Sequence, residues 1–222
     1  DHQKLFVDKK LLSANAVDTL PGSGIDLTKF QPTSFRRNKK FTFLLISRLI
    51  TDKGILEFID AVKKLQSKGL DAHFQILGAM DPLHKRGIKV DLIADWINSG
   101  TIEYLGTTSD VREFINSADC VVLPSYREGT PRTLLEAASS SKPIIATDVP
   151  GCNNVVEHNF NGFLCRLKDV DDLAEKMKAM ASLSDEKLKQ FGTNGRAKME
   201  AEYDESLVIN KYLAALVELK QA

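Results

Sequence analysis

Residues 120–146 read CVVLPSYREGTPRTLLEAASSSKPIIA, and this stretch predicts a strand, a loop, a helix and a second strand. The apolar runs at 120–123 and 144–146 are too short for helices and are rich in branched side chains, which is typical of buried strands. Between them, residues 131–140 have the length and composition of a helix. A helix that joins two strands in this way makes a right-handed crossover between parallel strands. The stretch therefore indicates an α/β fold.

The same alternation continues on both sides of this unit. Further strands are predicted at residues 41–46, 72–77, 102–105 and 162–165, and further helices at 53–68, 87–98, 109–117, 170–182, 186–202 and 206–219. In the helix at 87–98, the spacing predicts that Val90, Ile93, Ala94 and Ile97 share one buried side. Because the strands are almost continuously apolar, we expect a mainly parallel sheet covered by helices on both faces.

The composition excludes several classes of protein. Hydrophobic residues make up 43% of the chain and charged residues 27%, which is ordinary for a globular domain and excludes intrinsic disorder. The 30 basic and 30 acidic residues balance, which argues against a nucleic-acid binder. Cys120, Cys152 and Cys165 form no C-x-x-C pair, so we expect neither a disulfide framework nor a zinc site, and a cytoplasmic location is favoured.

One dense run of charge stands out, at Arg36-Arg37-Asn38-Lys39-Lys40. It precedes the first predicted strand and has two interpretations. It is either a solvated loop or a peripheral contact with a membrane surface.

The loops after the strands are the places to look for a site, because ligands of open parallel sheets bind beyond the carboxyl ends of the strands. Arg48 and Lys53 flank the loop after the first strand. Thr130 is expected to cap the helix that Pro131 begins, which would leave the amides of Arg132, Thr133 and Leu134 free to bind an anion. Two cations and a helix start favour a diphosphate, and the alternative is that both cations are ordinary surface residues.

Two glutamates lie in the same region. Glu128 falls in the loop after the fourth strand, where a carboxylate can accept hydrogen bonds from hydroxyl groups, and Glu136 lies deeper along the following helix, where it could hold a vicinal diol such as a ribose. The alternative is that both are solvated. The four histidines have no metal-ligand spacing, so no metal is expected, and neither a G-x-G-x-x-G loop nor a P-loop occurs.

Six stretches in colinear order carry a family resemblance. They are LPGSGIDLTKF at 20–30, SRLITDKG at 47–54, SADCVVLPS at 117–125, EGTPRTLLE at 128–136, KPIIATDVPG at 142–151 and NGFL at 161–164. Together they resemble the C-terminal, nucleotide-sugar-binding domain of retaining GT-B glycosyltransferases of family 4. The resemblance covers about residues 15–215 and implies a Rossmann-like domain with C-terminal helices.

The resemblance implies a role for each matching residue. Arg48 and Lys53 would bind the donor diphosphate and stabilise it as a leaving group. Glu128 would lie beside the donor sugar, and Glu136 would hold the ribose hydroxyls. Thr107 and Thr108 fall in the loop that meets the base. The other implied donor contacts are Gly78 and the segment formed by Gly129, Thr130, Pro131, Arg132, Thr133 and Leu134.

The resemblance also implies the chemistry. We expect metal-independent transfer with retention, no cofactor, and a UDP-sugar as donor in preference to a GDP-sugar. The acceptor would be a glycan or lipid-linked molecule in bacterial surface polysaccharide synthesis, bound by an N-terminal domain that lies outside this chain. Residues 15–40 would be a linker segment, 41–182 the core and 183–222 the C-terminal helices of one donor domain. Such a domain is expected to bind nucleotide but to be inactive alone.

Two positions depart from the commonest family pattern. Ser47 stands where glycine often precedes the arginine, and Ser141 replaces the glycine that usually ends the motif helix. If Ser141 adopts the left-handed conformation, it should cost about 1 kcal/mol relative to glycine. Two other classes of function remain as alternatives: a nucleotide-sugar epimerase or phosphorylase of the same architecture, and a flavodoxin-like or receiver-type module.

Overall fold

The computed structural model describes residues 6–11, 13 and 20–221, so the start of the predicted linker, 15–19, lies outside it. Its centre is a parallel sheet of six strands, in the order β3-β2-β1-β4-β5-β6. The α/β fold with a parallel sheet is therefore confirmed. The strands are β1 (Phe41–Ile46), β2 (Ala72–Leu77), β3 (Glu103–Tyr104), β4 (Cys120–Leu123), β5 (Ile144–Thr147) and β6 (Gly162–Cys165).

Helices cover both faces of the sheet, as the apolar strands require. They are α1 (Ile55–Ser67), α2 (Val90–Asn98), α3 (Arg112–Ser117), α4 (Arg132–Ser139), α5 (Cys152–Val155), α6 (Val170–Ala181), α7 (Asp185–Glu202) and α8 (Glu205–Gln221). Strand β1 shows how the core divides. Phe43 and Leu45 pack into the cluster under α1, α2 and α6, whereas Leu44 and Ile46 pack into the cluster under α3, α4 and α5.

The strand order places a crevice between β1 and β4. The chain runs from β1 outward to β2 and β3 on one side, and from β4 outward to β5 and β6 on the other. Because the two connections leave in opposite directions, the loops after β1 and β4 separate and open a crevice at the carboxyl end of the sheet. The sequence predicted the strands but not this order.

The start of α3 and the buried face of α2 differ from prediction. Ser109 does not cap α3: the helix begins at Arg112, whose amide is held by Asp110 Oδ1 at 3.1 Å. In α2, only Ile93 of the predicted apolar set is buried, together with Trp96, while Val90 and Ile97 are exposed. The helix places only Ile93 and Trp96 in the core, so it buries a narrower face than the spacing indicates.

The end of α4 agrees with prediction. Ser141 has φ of 55°, in the left-handed region. The amide of Ser141 donates to the Ala138 carbonyl at 3.0 Å, and that of Lys142 donates to the Ala137 carbonyl at 2.9 Å. This is the double hydrogen-bond pattern that satisfies the last carbonyls of a helix and that glycine normally provides.

Segment 20–30 lies against the C-terminal helices. Ile25 forms an isolated bridge with Asp204, and the Arg196 guanidinium donates to the carbonyls of Leu27, Phe30 and Ser139. Beyond this contact α8 carries many exposed apolar side chains. Even so, within the described residues no helix has both the length and the apolarity needed to cross a membrane.

Candidate donor-binding site

A polar cleft of about 230 Å³ lies at the β1/β4 crevice. The structure brings six of the predicted site residues to its wall, and Ile46, Ser47 and Leu123 complete it. The six are Arg48, Lys53, Glu128, Pro131, Arg132 and Thr133. Residues that follow different strands in the sequence thus lie together in the structure, as expected for the carboxyl ends of neighbouring parallel strands.

The cations of the cleft are held differently. Lys53 Nζ lies 2.6 Å from Glu128 Oε1, with both side chains mostly buried. Arg48 is more exposed, and its Nη1 makes only a loose contact with Asp81 Oδ2 at 3.9 Å. Arg48 can therefore move onto a ligand at little cost, whereas Lys53 must exchange or share a partner.

The loop after β1 is pinned to the loop after β4, which fixes the distance across the cleft. The Asp52 carbonyl accepts from the Tyr126 amide at 2.8 Å and from Ser125 Oγ at 3.1 Å. Gly54, at φ 70°, ends the turn of Thr51–Lys53 and packs on Pro124 so closely that a Cβ would lie 2.0 Å from the Pro124 carbonyl oxygen. These contacts hold Lys53 next to Glu128.

The start of α4 lies at the cleft but is shifted by one residue from prediction. Pro131 occupies the cap position with extended backbone, and Thr130 does not cap the helix. The Leu134 amide is not free, because it donates to the Pro131 carbonyl at 2.9 Å. The amides of Arg132 and Thr133 have no hydrogen-bond partner within the described residues. The anion site predicted here therefore offers two backbone donors rather than three.

Glu136 lies apart from the cleft, behind Arg132. Its carboxylate accepts from Arg132 Nε at 3.0 Å and is nearly buried. Burial raises the pKa of Glu136 above its ordinary 4.5; the Arg132 hydrogen bond and the charges of Arg132 and Lys29 oppose this shift, and Asp110 adds to it. A buried carboxylate with one bonded oxygen retains acceptor capacity for hydroxyl groups.

Asp110, in the loop after β3, lies near enough to Glu136 for its negative charge to raise the pKa of that carboxyl. Thr107 and Thr108 are exposed there, and Thr108 Oγ1 accepts from the Asp110 amide at 3.0 Å. Gly78, after β2, donates to the Gly106 carbonyl at 2.8 Å. These residues thus form a second group beside the cleft rather than part of its wall.

The remaining predicted site residues, Gly129, Thr130 and Leu134, do not line the cleft. Gly129 is exposed, and its carbonyl oxygen would lie 2.3 Å from a Cβ on Gly151. Thr130 instead contacts Gly22 and lines a larger apolar groove of about 930 Å³ against α7 and α8. Leu134 is fully buried in the core.

Sequence reasoning missed two contacts around the cleft. Asp81 faces Arg48, and Tyr126 donates from its hydroxyl to Glu57 Oε1 at 2.6 Å. Burial of the side chain and the hydrogen bond to Glu57 raise the pKa of Tyr126. Both residues follow strands, and this position in the sequence could have marked them as candidate site residues. Their partners are visible only in the folded loops.

Neither a metal cluster nor a disulfide is found among the described residues. No three His, Cys, Asp or Glu side chains gather there. Cys120, Cys152 and Cys165 are free and buried. The cleft is thus lined by cations, amides and one carboxylate, a donor set that suits a phosphorylated ligand.

The fold and this cleft are typical of the class of α/β proteins that bind a ligand at the switch point of a parallel sheet. Residues 28–198 match the family described as glycosyl transferases group 1. Because that match spans most of the chain, this protein belongs to the group 1 glycosyl transferases. The epimerase and flavodoxin-like alternatives are not favoured by this finding.

Two bacterial relatives illustrate the similarity. The chain is 31% identical over 232 residues to N,N'-diacetylbacillosaminyl-diphospho-undecaprenol alpha-1,3-N-acetylgalactosaminyltransferase of Campylobacter jejuni, covering 96% of this chain and 59% of that protein. It is 30% identical over 199 residues to UDP-Gal:alpha-D-GlcNAc-diphosphoundecaprenol alpha-1,3-galactosyltransferase of Escherichia coli, covering 84% and 48%. The chain thus spans about half the length of these curated relatives.

Solved structures share the fold. A glycosyltransferase from Rickettsia africae superposes with a TM-score of 0.81 at 22% identity, covering 98% of this chain and 62% of that one. Anabaena HepE, solved in complex with UDP and glucose, superposes with a TM-score of 0.79 at 21% identity, covering 97% and 60%.

Proposed function

We propose that this chain is the donor-binding part of a glycosyltransferase that takes its sugar from a nucleoside diphosphate sugar. The observation that carries the proposal is the convergence of Arg48, Lys53 and the amides of Arg132 and Thr133 on one cleft. Membership of the group 1 family supports it.

The electrostatics of the cleft favour a diphosphate. Arg48 and Lys53 both line the cleft, and a pair of opposite unit charges 4 Å apart is worth about 4 kcal/mol at an effective dielectric of 20. The helix start contributes about 0.3–1 kcal/mol more. The cations therefore dominate, and the two amides orient the bound oxygens.

The same groups can accelerate transfer. When the bond between the anomeric carbon and the diphosphate oxygen breaks, negative charge grows on the leaving diphosphate. Arg48 and Lys53 would meet that charge more strongly in the transition state than in the ground state, which is the condition for catalysis. Glu128, which contacts Lys53, would lie beside the sugar and accept hydrogen bonds from its hydroxyl groups. We include metal-independent transfer with retention in this proposal.

The substrates are proposed from the relatives. The two named above act, by their names, on undecaprenol-linked diphosphate sugars, and the E. coli protein uses UDP-galactose. We therefore propose a UDP-sugar donor and a lipid-linked or glycan acceptor in bacterial polysaccharide synthesis. The acceptor would be bound by a part of the enzyme that this chain does not include.

A thermal-shift panel with UDP, GDP, ADP and CMP tests the donor site. A ligand at a hundredfold over its Kd adds about 2.7 kcal/mol of stability. At roughly 2–4 °C per kcal/mol for a domain of this size, we expect Tm to rise by about 5–11 °C with UDP.

Two variants make the panel specific. Arg48→Ala should lose most of the UDP shift, because it removes a cation from the cleft wall. Lys63→Ala removes the same charge from the exposed side of α1 and should keep the shift. Equal shifts in both variants, or no shift with any nucleotide, would contradict the proposed site.

A further inference from the structure

A second polar pocket, of about 160 Å³, lies at the opposite end of α4 from the donor cleft. It is formed where the amino ends of β4 and β5 meet α7 and the segment before β1. The donor cleft uses the carboxyl ends of the strands, so the two sites share no residue.

Three cationic side chains line this pocket. Arg36 comes from the charge run before β1, Lys189 from α7 and Lys142 from the turn after α4. Arg36 makes no ion pair within the described residues. Lys189 is exposed, and its Nζ lies 5.1 Å from the centroid of the Phe35 ring, which holds the ammonium at the rim.

Lys142 forms the base of the pocket. Its Nζ donates to the carbonyls of Asn116 at 2.7 Å and Ala118 at 2.8 Å. An ammonium group has three protons, so one donor remains. Burial lowers the pKa of Lys142, while the nearby Asp119 opposes the shift.

Hydroxyl groups also line this pocket. Ser140 is only 3% exposed and lines the wall, and among the described residues its Oγ makes no hydrogen bond. Ser141 and Thr193 add two more hydroxyls to the same wall. The Ser140 hydroxyl is therefore available to donate to an anion in the pocket.

Two features oppose an anion here. Asp119 also lines the pocket, but its carboxylate already accepts three hydrogen bonds, from the amides of Asn38 and Thr42 and from Asn38 Nδ2. The C-terminal end of α4 carries partial negative charge, but its last carbonyls are bonded in the turn described above. Three cations outweigh both.

We propose that this pocket binds a phosphate group. Its volume suits one phosphate, its cations supply the charge, and its hydroxyls and spare ammonium proton supply donors for several oxygens. The phosphate can belong to a small soluble anion or to a lipid headgroup, since the rim is exposed at Arg36 and Lys189. The proposal is independent of the donor site.

The test is a titration with two probes, in which backbone amide NMR reports binding residue by residue. Inorganic phosphate is the first probe. Vesicles of phosphatidylglycerol in phosphatidylcholine are the second, and co-sedimentation measures binding to them. We expect saturable shifts at residues 140–142 and 193 with inorganic phosphate, separate from shifts at Arg132 and Thr133 in the donor cleft. A response only to the vesicles would identify the lipid headgroup as the source.

Variants separate a built site from general charge. Ser140→Ala leaves the charge unchanged and Lys189→Ala removes an exposed cation, and each should weaken binding about tenfold, in line with the loss of one charge-assisted hydrogen bond. Lys39→Ala removes a neighbouring cation outside the pocket and should change binding less than twofold. The proposal is overturned if neither probe binds, if only the donor-cleft amides respond, or if Ser140→Ala and Lys39→Ala behave alike.

Discussion

The ion pair between Lys53 and Glu128 makes a diphosphate compete with a carboxylate. Because Nζ and Oε1 are 2.6 Å apart, the lysine cannot bind phosphate without sharing its charge. Glu128→Gln keeps the shape and removes the competitor, so we expect UDP to bind about threefold to tenfold more tightly. Lys53→Met should instead weaken UDP binding by about tenfold. Isothermal titration with UDP measures both changes.

The control for this pair is a carboxylate of equal charge elsewhere. Asp60 is exposed on α1, so Asp60→Asn should leave the Kd for UDP unchanged. If Glu128→Gln binds UDP no better than Asp60→Asn, the carboxylate does not compete with the diphosphate.

Glu136 links site chemistry to stability. Since burial raises the pKa of Glu136 above its ordinary 4.5, the folded state favours the protonated carboxyl. Its contribution to stability is full below that value and is lost as pH rises through the folded pKa. Glu136→Gln removes this dependence, so the variant should gain stability relative to the parent between pH 4 and pH 7. Urea unfolding at the two pH values measures the difference, and an equal difference at both would refute the argument.

At the scale of elements, the contact between the turn ending at Gly54 and Pro124 controls the width of the cleft. Gly54 and Gly100 have nearly the same positive φ, 70° and 69°, yet a Cβ on Gly100 meets no described atom within 4 Å. Gly100→Ala should therefore cost about 1 kcal/mol, the strain of left-handed backbone alone. Gly54→Ala should cost about 2–4 kcal/mol, since backbone must also move. Chemical unfolding compares them.

The functional consequence separates these two variants further. Any shift that relieves Gly54→Ala moves Lys53 away from Glu128, so UDP affinity should fall together with stability. Gly100→Ala lies in the turn after α2 and should keep its UDP affinity. Equal UDP affinities in the two variants would show that the pinned loops do not set the site.

The α4 segment shows what sequence can predict about one element. The apolar runs identified its strands and its helix, and the left-handed conformation considered for Ser141 is the one observed. The start of the helix was wrong by one residue, because Pro131 has extended backbone and occupies the cap itself. Proline at a helix start fits either position, and the packing of the preceding loop decides between them.

At the scale of the whole molecule, transfer should require more than this chain. The chain spans about half the length of these curated relatives, and the cleft described here is the proposed donor site alone. We expect the 222-residue chain to bind UDP but to release no UDP from a UDP-sugar when a lipid-linked acceptor is added. The full-length C. jejuni relative, assayed with its own substrates, is the positive control. Sustained transfer by this chain alone would contradict the expectation.

The class of fold was predictable because strand and helix signals are local in the sequence. The site was only partly predictable. Arg48, Lys53 and Glu128 were found because they follow strands. The pairing of Lys53 with Glu128 and the seclusion of Glu136 depend on how distant loops meet, which a pattern along the chain does not encode. The strand order could not be predicted for the same reason, since β1 and β4 are neighbours in the sheet but not in the sequence.

The seam between β1 and β4 has a consequence for folding. Each half of the sheet is built from nearby chain, but the seam pairs Phe43 with Cys120 and Leu44 with Val121, and we expect such distant pairings to form late. The donor cleft lies on this seam, so it comes into existence only when the halves join. During refolding, nucleotide binding should therefore lag behind the recovery of helix, and a nucleotide should hold the finished sheet together without guiding its assembly.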